Sequence, residues 1–394
     1  MKSANAVVIG GGILGTSTAF HLADAGLSNA ALIERKFIGA GATGKSHSLV
    51  RMHYTNPYDA ALAQVSLPYF QHWNELVGAG DCGFVQTGVF RFANARQETK
   101  VRANVDMLRG IGVNTWFVDP GEIQSIDPGL SVHDLTGAAW EPESGYADPL
   151  ATANGFARAT TERGGRVQTG VTVTAILSEK GRVIGVETTD GKIATDTVVV
   201  ANGSWASPLL NPLGFDVPLV PKRVQIVAFR RPDLDRGPQT TLIDGALGIV
   251  VRPEGDQDTL VAIGFDPDPV DPDTFDESIE RDYIATCRER LIGRRPAMAG
   301  APSRGGWSGV APETPDGHIV LDHLPGYDGL YVAVGCSGTN FKTGPGIGKC
   351  LAEWITTGAP VSVDLHAFRA SRFAEGKPLV GPHEYGEGAV DVWR

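Results

Sequence analysis

An α/β architecture in two interleaved domains is predicted for this chain by three observations. The apolar run Ala6–Ile9 passes into glycines, then into a helix-patterned stretch at 13–26, then into a second apolar run at 30–34. A strand, helix, strand start of this kind opens a parallel sheet. From about residue 82 to 145 the pattern changes to strand-like pieces around one helix. Strands of the first kind return before residue 201 and again at Leu330–Val334, where a glycine-rich turn leads into another helix.

Taken in order, the helix at 13–26 carries small residues toward the first strand. The next, at 57–77, opens on Asn56-Pro57, an N-cap residue followed by proline at the first helical position. Strands at 88–93 and 137–140 flank a helix near 96–110. Asp148-Pro149 starts a helix at 149–163, and strands follow at 171–176, 183–188 and 196–201. Residues 216–270 are β-rich and broken by Pro and Gly. A helix is expected at 276–292 and the last at 345–357. One domain is therefore assembled from residues 1–85, 146–215 and 318–394. A β-rich, mostly antiparallel second domain takes 86–145 and 216–317.

Two domains suit a chain of 394 residues, too long for a single ordinary core. Its 42% hydrophobic and 20% charged residues are those of a globular protein. The net charge of −11 argues against nucleic acid as a partner, which needs a basic face. It leaves room for an anionic substrate at a local cationic site. Cys82, Cys287, Cys336 and Cys350 lie far apart without a CxxC pair, which reads as free thiols in a reducing compartment and no metal site. His318 and His323 lack the spacing of metal ligands. With no signal-peptide pattern and no apolar run of about 18 residues, no membrane span is expected and the cytoplasm is the default.

Four stretches carry chemistry. Gly10-Gly11-Gly12-Ile13-Leu14-Gly15 is a GxGxxG between strand and helix, with Glu34 ending the next strand. Gly10 permits the turn, Gly12 lets backbone approach a pyrophosphate, and Gly15 lets helix and strand pack. Glu34 would accept from a ribose hydroxyl. Arg35 beside it raises the question of a 2′-phosphate, which the acid at 34 disfavours. The second stretch, Gly39–Ser46, matches GxxxxGK[ST], but neither a strand directly before it nor a helix directly after it is present. An NTPase is therefore disfavoured, and Thr43, Lys45, Ser46, His47 and Ser48 are read as a loop beside the dinucleotide. The third is Val198–Trp205, a strand and glycine turn offering Ala201, Gly203 and Trp205. The fourth runs from Gly335 to Gly348 at a strand's C-terminal end, where such sheets bind ligands. It offers Gly338, Thr339, Asn340, Phe341 and Lys342.

Together these stretches resemble the D-amino-acid oxidase-like family of FAD enzymes, most closely the branch with sarcosine oxidase and the sarcosine oxidase β subunit. The resemblance runs in order through most of the chain. It includes Thr87-Gly88-Val89-Phe90, Glu143–Pro149, Trp307–Val310, Thr314–His318 and Phe368–Phe373. It implies a Rossmann-like FAD domain with a β-rich substrate domain, and a cofactor that takes a hydride equivalent from a carbon next to nitrogen. The substrate implied is a small amino acid or secondary amine, sarcosine-like. The resemblance places Arg51 and Lys342 as receptor for the substrate carboxylate, a fork plus an ammonium. It sets His53 and Tyr54 beside them in the pocket, and Val173 at the adenine end.

Three departures bear on chemistry. Where monomeric sarcosine oxidases tether FAD through cysteine, this chain has Gly309. FAD is therefore expected without a covalent bond, His47 being the other side chain able to carry one. Ala262 stands where those enzymes have a lysine that helps oxygen react, so the acceptor is either oxygen or another molecule. Ala311 replaces an arginine of glycine oxidases. The rival readings are a flavin-dependent 2-hydroxy-acid dehydrogenase and a flavoprotein subunit that works with a partner subunit.

Overall fold

The computed structural model describes residues 2–235 and 237–385. Its first layer is a six-stranded sheet drawn from three separate stretches of chain. The order is Val320–His323, Leu330–Val334, Val198–Val200, Val7–Ile9, Ala31–Glu34, Arg166–Thr169. All neighbours run parallel except the first pair. The central strands are buried on both faces, which is why they read as unbroken apolar runs rather than alternating ones. The helices Ile13–Asp24, Gly344–Thr357 and Pro149–Glu162 cover one face, the first packing against both others. A small sheet, Val173–Glu179, Arg182–Thr188 and Gly191–Ala194 with Lys2–Ser3, lies at the side.

The second layer is a nine-stranded sheet from residues 89–141 and 220–313. Its pairings are antiparallel except Thr241–Asp244 on Val89–Ala93. The pairings of Val220–Arg230 carry register shifts of the β-bulge kind. The helix Arg281–Arg294 packs on it through Tyr283, Cys287 and Leu291. A two-stranded ribbon, Leu49–Val50 with Gly145–Tyr146, fixes the loop that leads into Arg51.

Most predicted elements stand within a few residues of their expected ends. The helix expected at 276–292 begins at Arg281 instead. Asp276 accepts from the Ser278 backbone and hydroxyl, a local turn that competes with helix. The helix expected over 57–77 is two pieces, Pro57–Gln71 and Trp73–Leu76. Among the described residues no helix is long and apolar enough to cross a membrane, and no group of three or more His, Cys, Asp or Glu could hold a metal ion.

Candidate active site

The parallel strands end on one edge, and their terminal residues line a cavity of ≈ 520 Å³ together with residues of the second sheet. From the first layer come Ile9, Glu34, Ala201 and Val334. From the second come Ile226, Ile243, Val250 and Ala262. The glycine motif shapes the near end. Gly10 has φ 110 and no room for a side chain, since a Cβ there would meet Ala201 O at 2.5 Å. A Cβ on Gly15 would meet Gly10 O at 1.9 Å, so helix Ile13–Asp24 can lie this close only on glycine. Gly15 itself lies behind the wall. Gly10, Gly12, Ile13 and Leu14 are on it.

Glu34 accepts backbone N–H groups from Gly11 and Lys36, both at 2.7 Å, and faces the cavity with free lone-pair capacity. Thr43 Oγ1 accepts from Ile13 N at 3.0 Å, tying the second motif to the first helix turn. The residues Thr43–Lys45 form one 3₁₀ turn, not the long helix of a phosphate-binding loop. Thr43, Lys45, Ser46, His47 and Ser48 all reach the wall, as do Val173, Gly203 and Trp205. Arg35 lies 4.2 Å from the Trp205 ring centre. Both donate to Asp273 Oδ1, at 2.6 and 3.0 Å. That loop residue of the second layer also lines the cavity, and sequence reasoning missed it. So too were Ile243, Val250 and Phe265 missed, because which strand residues face a partner sheet depends on a register that only the folded chain sets.

Arg51 and Lys342 line the same cavity, as do Gly338, Thr339, Asn340 and Phe341. The two side chains are buried, 3% and 6% exposed, and both pack on one aromatic ring. Arg51 Cζ lies 4.8 Å and Lys342 Nζ 5.0 Å from the Tyr54 ring centre. Tyr54 Oη and Lys342 Nζ both donate to Thr339 O, at 3.0 and 2.7 Å. Burial, then the Arg51 charge, holds the Lys342 ammonium well below its usual range. An anion entering here would meet the Arg51 guanidinium and would favour the protonated form of Lys342.

His53 and Tyr54 are expected in the pocket; neither is among the residues that line the cavity. Tyr54 packs against Arg51 and Lys342, which do line it. His53 turns away, its Nε2 meeting the Tyr385 hydroxyl, which also accepts from Asn104 Nδ2 at 3.0 Å. Both are buried, at 1%. Following Arg51 in the chain does not place a residue on its side of the wall.

The cavity fits a large polar cofactor. Both ring nitrogens of His47, Ser204 Oγ and Asn202 Oδ1 are buried on its wall with no hydrogen-bond partner among the described residues. Burial, then Arg252, lowers His47 to about 3. It is therefore neutral at physiological pH, and such groups expect partners.

Residues 5–354 match the family model "FAD dependent oxidoreductase", DAO. Human mitochondrial sarcosine dehydrogenase is 29% identical over 389 residues, 94% of this chain but 42% of that protein. The chain thus spans less than half of that relative. The sarcosine oxidase subunit beta of Rhodobacter capsulatus is 25% identical, covering 96% of this chain and 92% of that one. The mouse pyruvate dehydrogenase phosphatase regulatory subunit is 26% identical over 93% of this chain and 43% of its own length. Among solved structures, L-proline dehydrogenase from P. horikoshii superposes with TM-score 0.89 at 26% identity, covering 96% of this chain and all of that one.

Proposed function

The chain belongs to the DAO family of FAD-dependent oxidoreductases, and from that premise we propose that it oxidises a small amino acid or secondary amine bearing a carboxylate, sarcosine-like, to an imine. The observation that carries this reading is the pair of buried cationic side chains, Arg51 and Lys342, on the wall of the same cavity as the glycine motif. FAD, when bound, supplies the two-electron acceptor. Gly10, Gly12, Glu34 and Val173 would hold its dinucleotide end, and the turn at Gly338–Phe341 its flavin end.

The protein's own part is orientation. The planar fork of Arg51 and the ammonium of Lys342 fix the carboxylate. The substrate's C–H next to nitrogen gives up a hydride equivalent, its N–H proton goes to solvent, and water hydrolyses the imine product. Hydride transfer from a neutral amine needs no obligatory side-chain base. His53, the nearest imidazole in sequence, faces Tyr385 instead. The apolar wall of Ile243, Val250 and Ala262 would keep water from the reacting carbon. Because Ala262 offers no cation there, a dye or protein acceptor is expected to outpace oxygen. Relatives named as oxidase subunits make a partner subunit the corresponding second reading of the acceptor.

The test is anaerobic bleaching of the flavin by a panel of N-methyl amino acids, other amino acids, 2-hydroxy acids and amines without a carboxylate. Bleaching by the carboxylate-bearing amines is expected, with kcat/KM reduced roughly ten- to a thousand-fold in Arg51→Ala and Lys342→Ala and FAD content unchanged. The reduced enzyme should then reoxidise faster with an artificial acceptor than with air. Native-like kinetics in both variants would sink the receptor, and bleaching by hydroxy acids alone would sink the amine.

A further inference from the structure

A buried acid that no motif pointed to lies beside the proposed receptor. Glu141 ends the strand Gly137–Glu141 and is 1% exposed. Its Oε2 accepts the backbone N–H of Met52 at 2.9 Å and the Ser144 hydroxyl at 2.8 Å. Met52 is the residue directly after Arg51. The strand that follows Glu141, Gly145–Tyr146, pairs with Leu49–Val50 directly before Arg51. Arg51 is therefore held from both sides by one stretch of chain, residues 141–146: by a two-residue ladder upstream and by a single carboxylate downstream. Burial raises the Glu141 carboxyl, and the charges that oppose this shift include Arg51 and Lys342. A carboxyl buried on so few hydrogen bonds is costly to keep, and an apolar residue would fill the same space without that cost.

We infer that Glu141 is a positioning residue of the anion receptor: by accepting the Met52 N–H it fixes the backbone that aims the Arg51 guanidinium into the cavity. This rests on the reading of Arg51 and Lys342 as a carboxylate receptor. The role depends on reach and on an acceptor oxygen, not on charge. Glutamine keeps both the arm length and the oxygen. Aspartate keeps the charge but shortens the arm by one methylene, so it cannot span to Met52 from the same backbone.

The experiment is titration of the oxidised holoenzyme with acetate, read as perturbation of the flavin absorbance, in Glu141→Gln, Glu141→Asp and Glu141→Ala. Glu141→Asp and Glu141→Ala should bind acetate at least about ten-fold more weakly, and Glu141→Gln within about three-fold of the unmodified enzyme. If Glu141→Ala does not fold, the Gln and Asp variants decide alone. An Asp variant that binds like the unmodified enzyme, or a Gln variant as weak as Asp, overturns the inference, because charge or bulk would then be what matters. Arg51→Ala and Lys342→Ala are titrated alongside. If these two bind acetate normally, the receptor itself is misplaced and the inference falls with it. If they lose acetate while Glu141→Asp and Glu141→Ala keep it, the receptor stands and only Glu141's role is lost.

Discussion

Gly309 and His47 are the two positions at which a covalent tether to the cofactor is tested. A Cβ on Gly309 would stand 2.6 Å from Lys45 Cβ and 3.2 Å from its Cγ. The stem of Lys45, anchored to Glu277 at 2.9 Å, fills the space a tethering side chain would need. His47 is the other candidate. It lines the cavity with both nitrogens unpartnered among the described residues, which equally suits hydrogen bonds to a cofactor held by contacts alone. Acid precipitation should therefore release FAD into the supernatant. Yellow colour retained in the pellet of the native protein and lost in His47→Ala would overturn this and assign the tether. The glycine was legible in the sequence as a missing cysteine, but its blockade by a lysine stem was not, because the two residues are 264 positions apart.

Among elements, helix Ile13–Asp24 shows how completely one motif can fix local structure. It has no side-chain cap, and its N-terminus is held by Thr43 from the following loop. Its fit to the sheet depends on Gly15, where a methyl would meet a carbonyl oxygen at 1.9 Å. Gly15→Ala should lower stability by about 1–3 kcal/mol and deplete FAD, measured by thermal melting and by the flavin-to-protein absorbance ratio. Gly110 is the control. It ends the helix Glu98–Gly110, and a Cβ added there would find nothing within 4 Å and no left-handed backbone. Gly110→Ala should stabilise by about 0.4–1 kcal/mol. Equal melting of the two variants would refute the packing argument. The helix Ile13–Asp24 was legible because strand, glycines and helix are contiguous. The start of Arg281–Arg294 was not, because the turn at Asp276 competes with helix using residues that are polar in either conformation.

Across the whole molecule, the buried histidines set the response to acid. Burial, then Lys349, lowers His21 to about 3, and burial, then Arg252, does the same to His47. The folded protein thus keeps both neutral while the unfolded chain protonates near 6.5. Stability is full above that value and falls as pH drops from about 6.5 toward 3, by roughly 1.4 kcal/mol per pH unit for each such group. Asp316 acts lower. Burial works to raise it, but Arg372 at 2.7 Å and the Leu379 N–H hold it below the usual carboxylate range. Its contribution is present above about pH 4 and is lost only below. Denaturant titrations should therefore show stability declining already between pH 6.5 and 4.5, with a shallower slope in His21→Leu. An unchanged slope would show that His21 is not the group responsible.

What the sequence determined by itself were the contiguous features: the strand–glycine–helix start, Glu34 at the next strand's end, and the glycine-rich turn before Gly344. Each rests on local backbone geometry that neighbouring residues impose. What only the tertiary structure decided were contacts that bring separate stretches of chain together. They are the Tyr54 ring against Arg51 and Lys342, the turn of His53 toward Tyr385, Asp273 across Arg35 and Trp205, and Glu141 behind Arg51. These depend on strand register and on which face of each element is buried. Both follow from the packing of two whole sheets and are carried by no single stretch of chain.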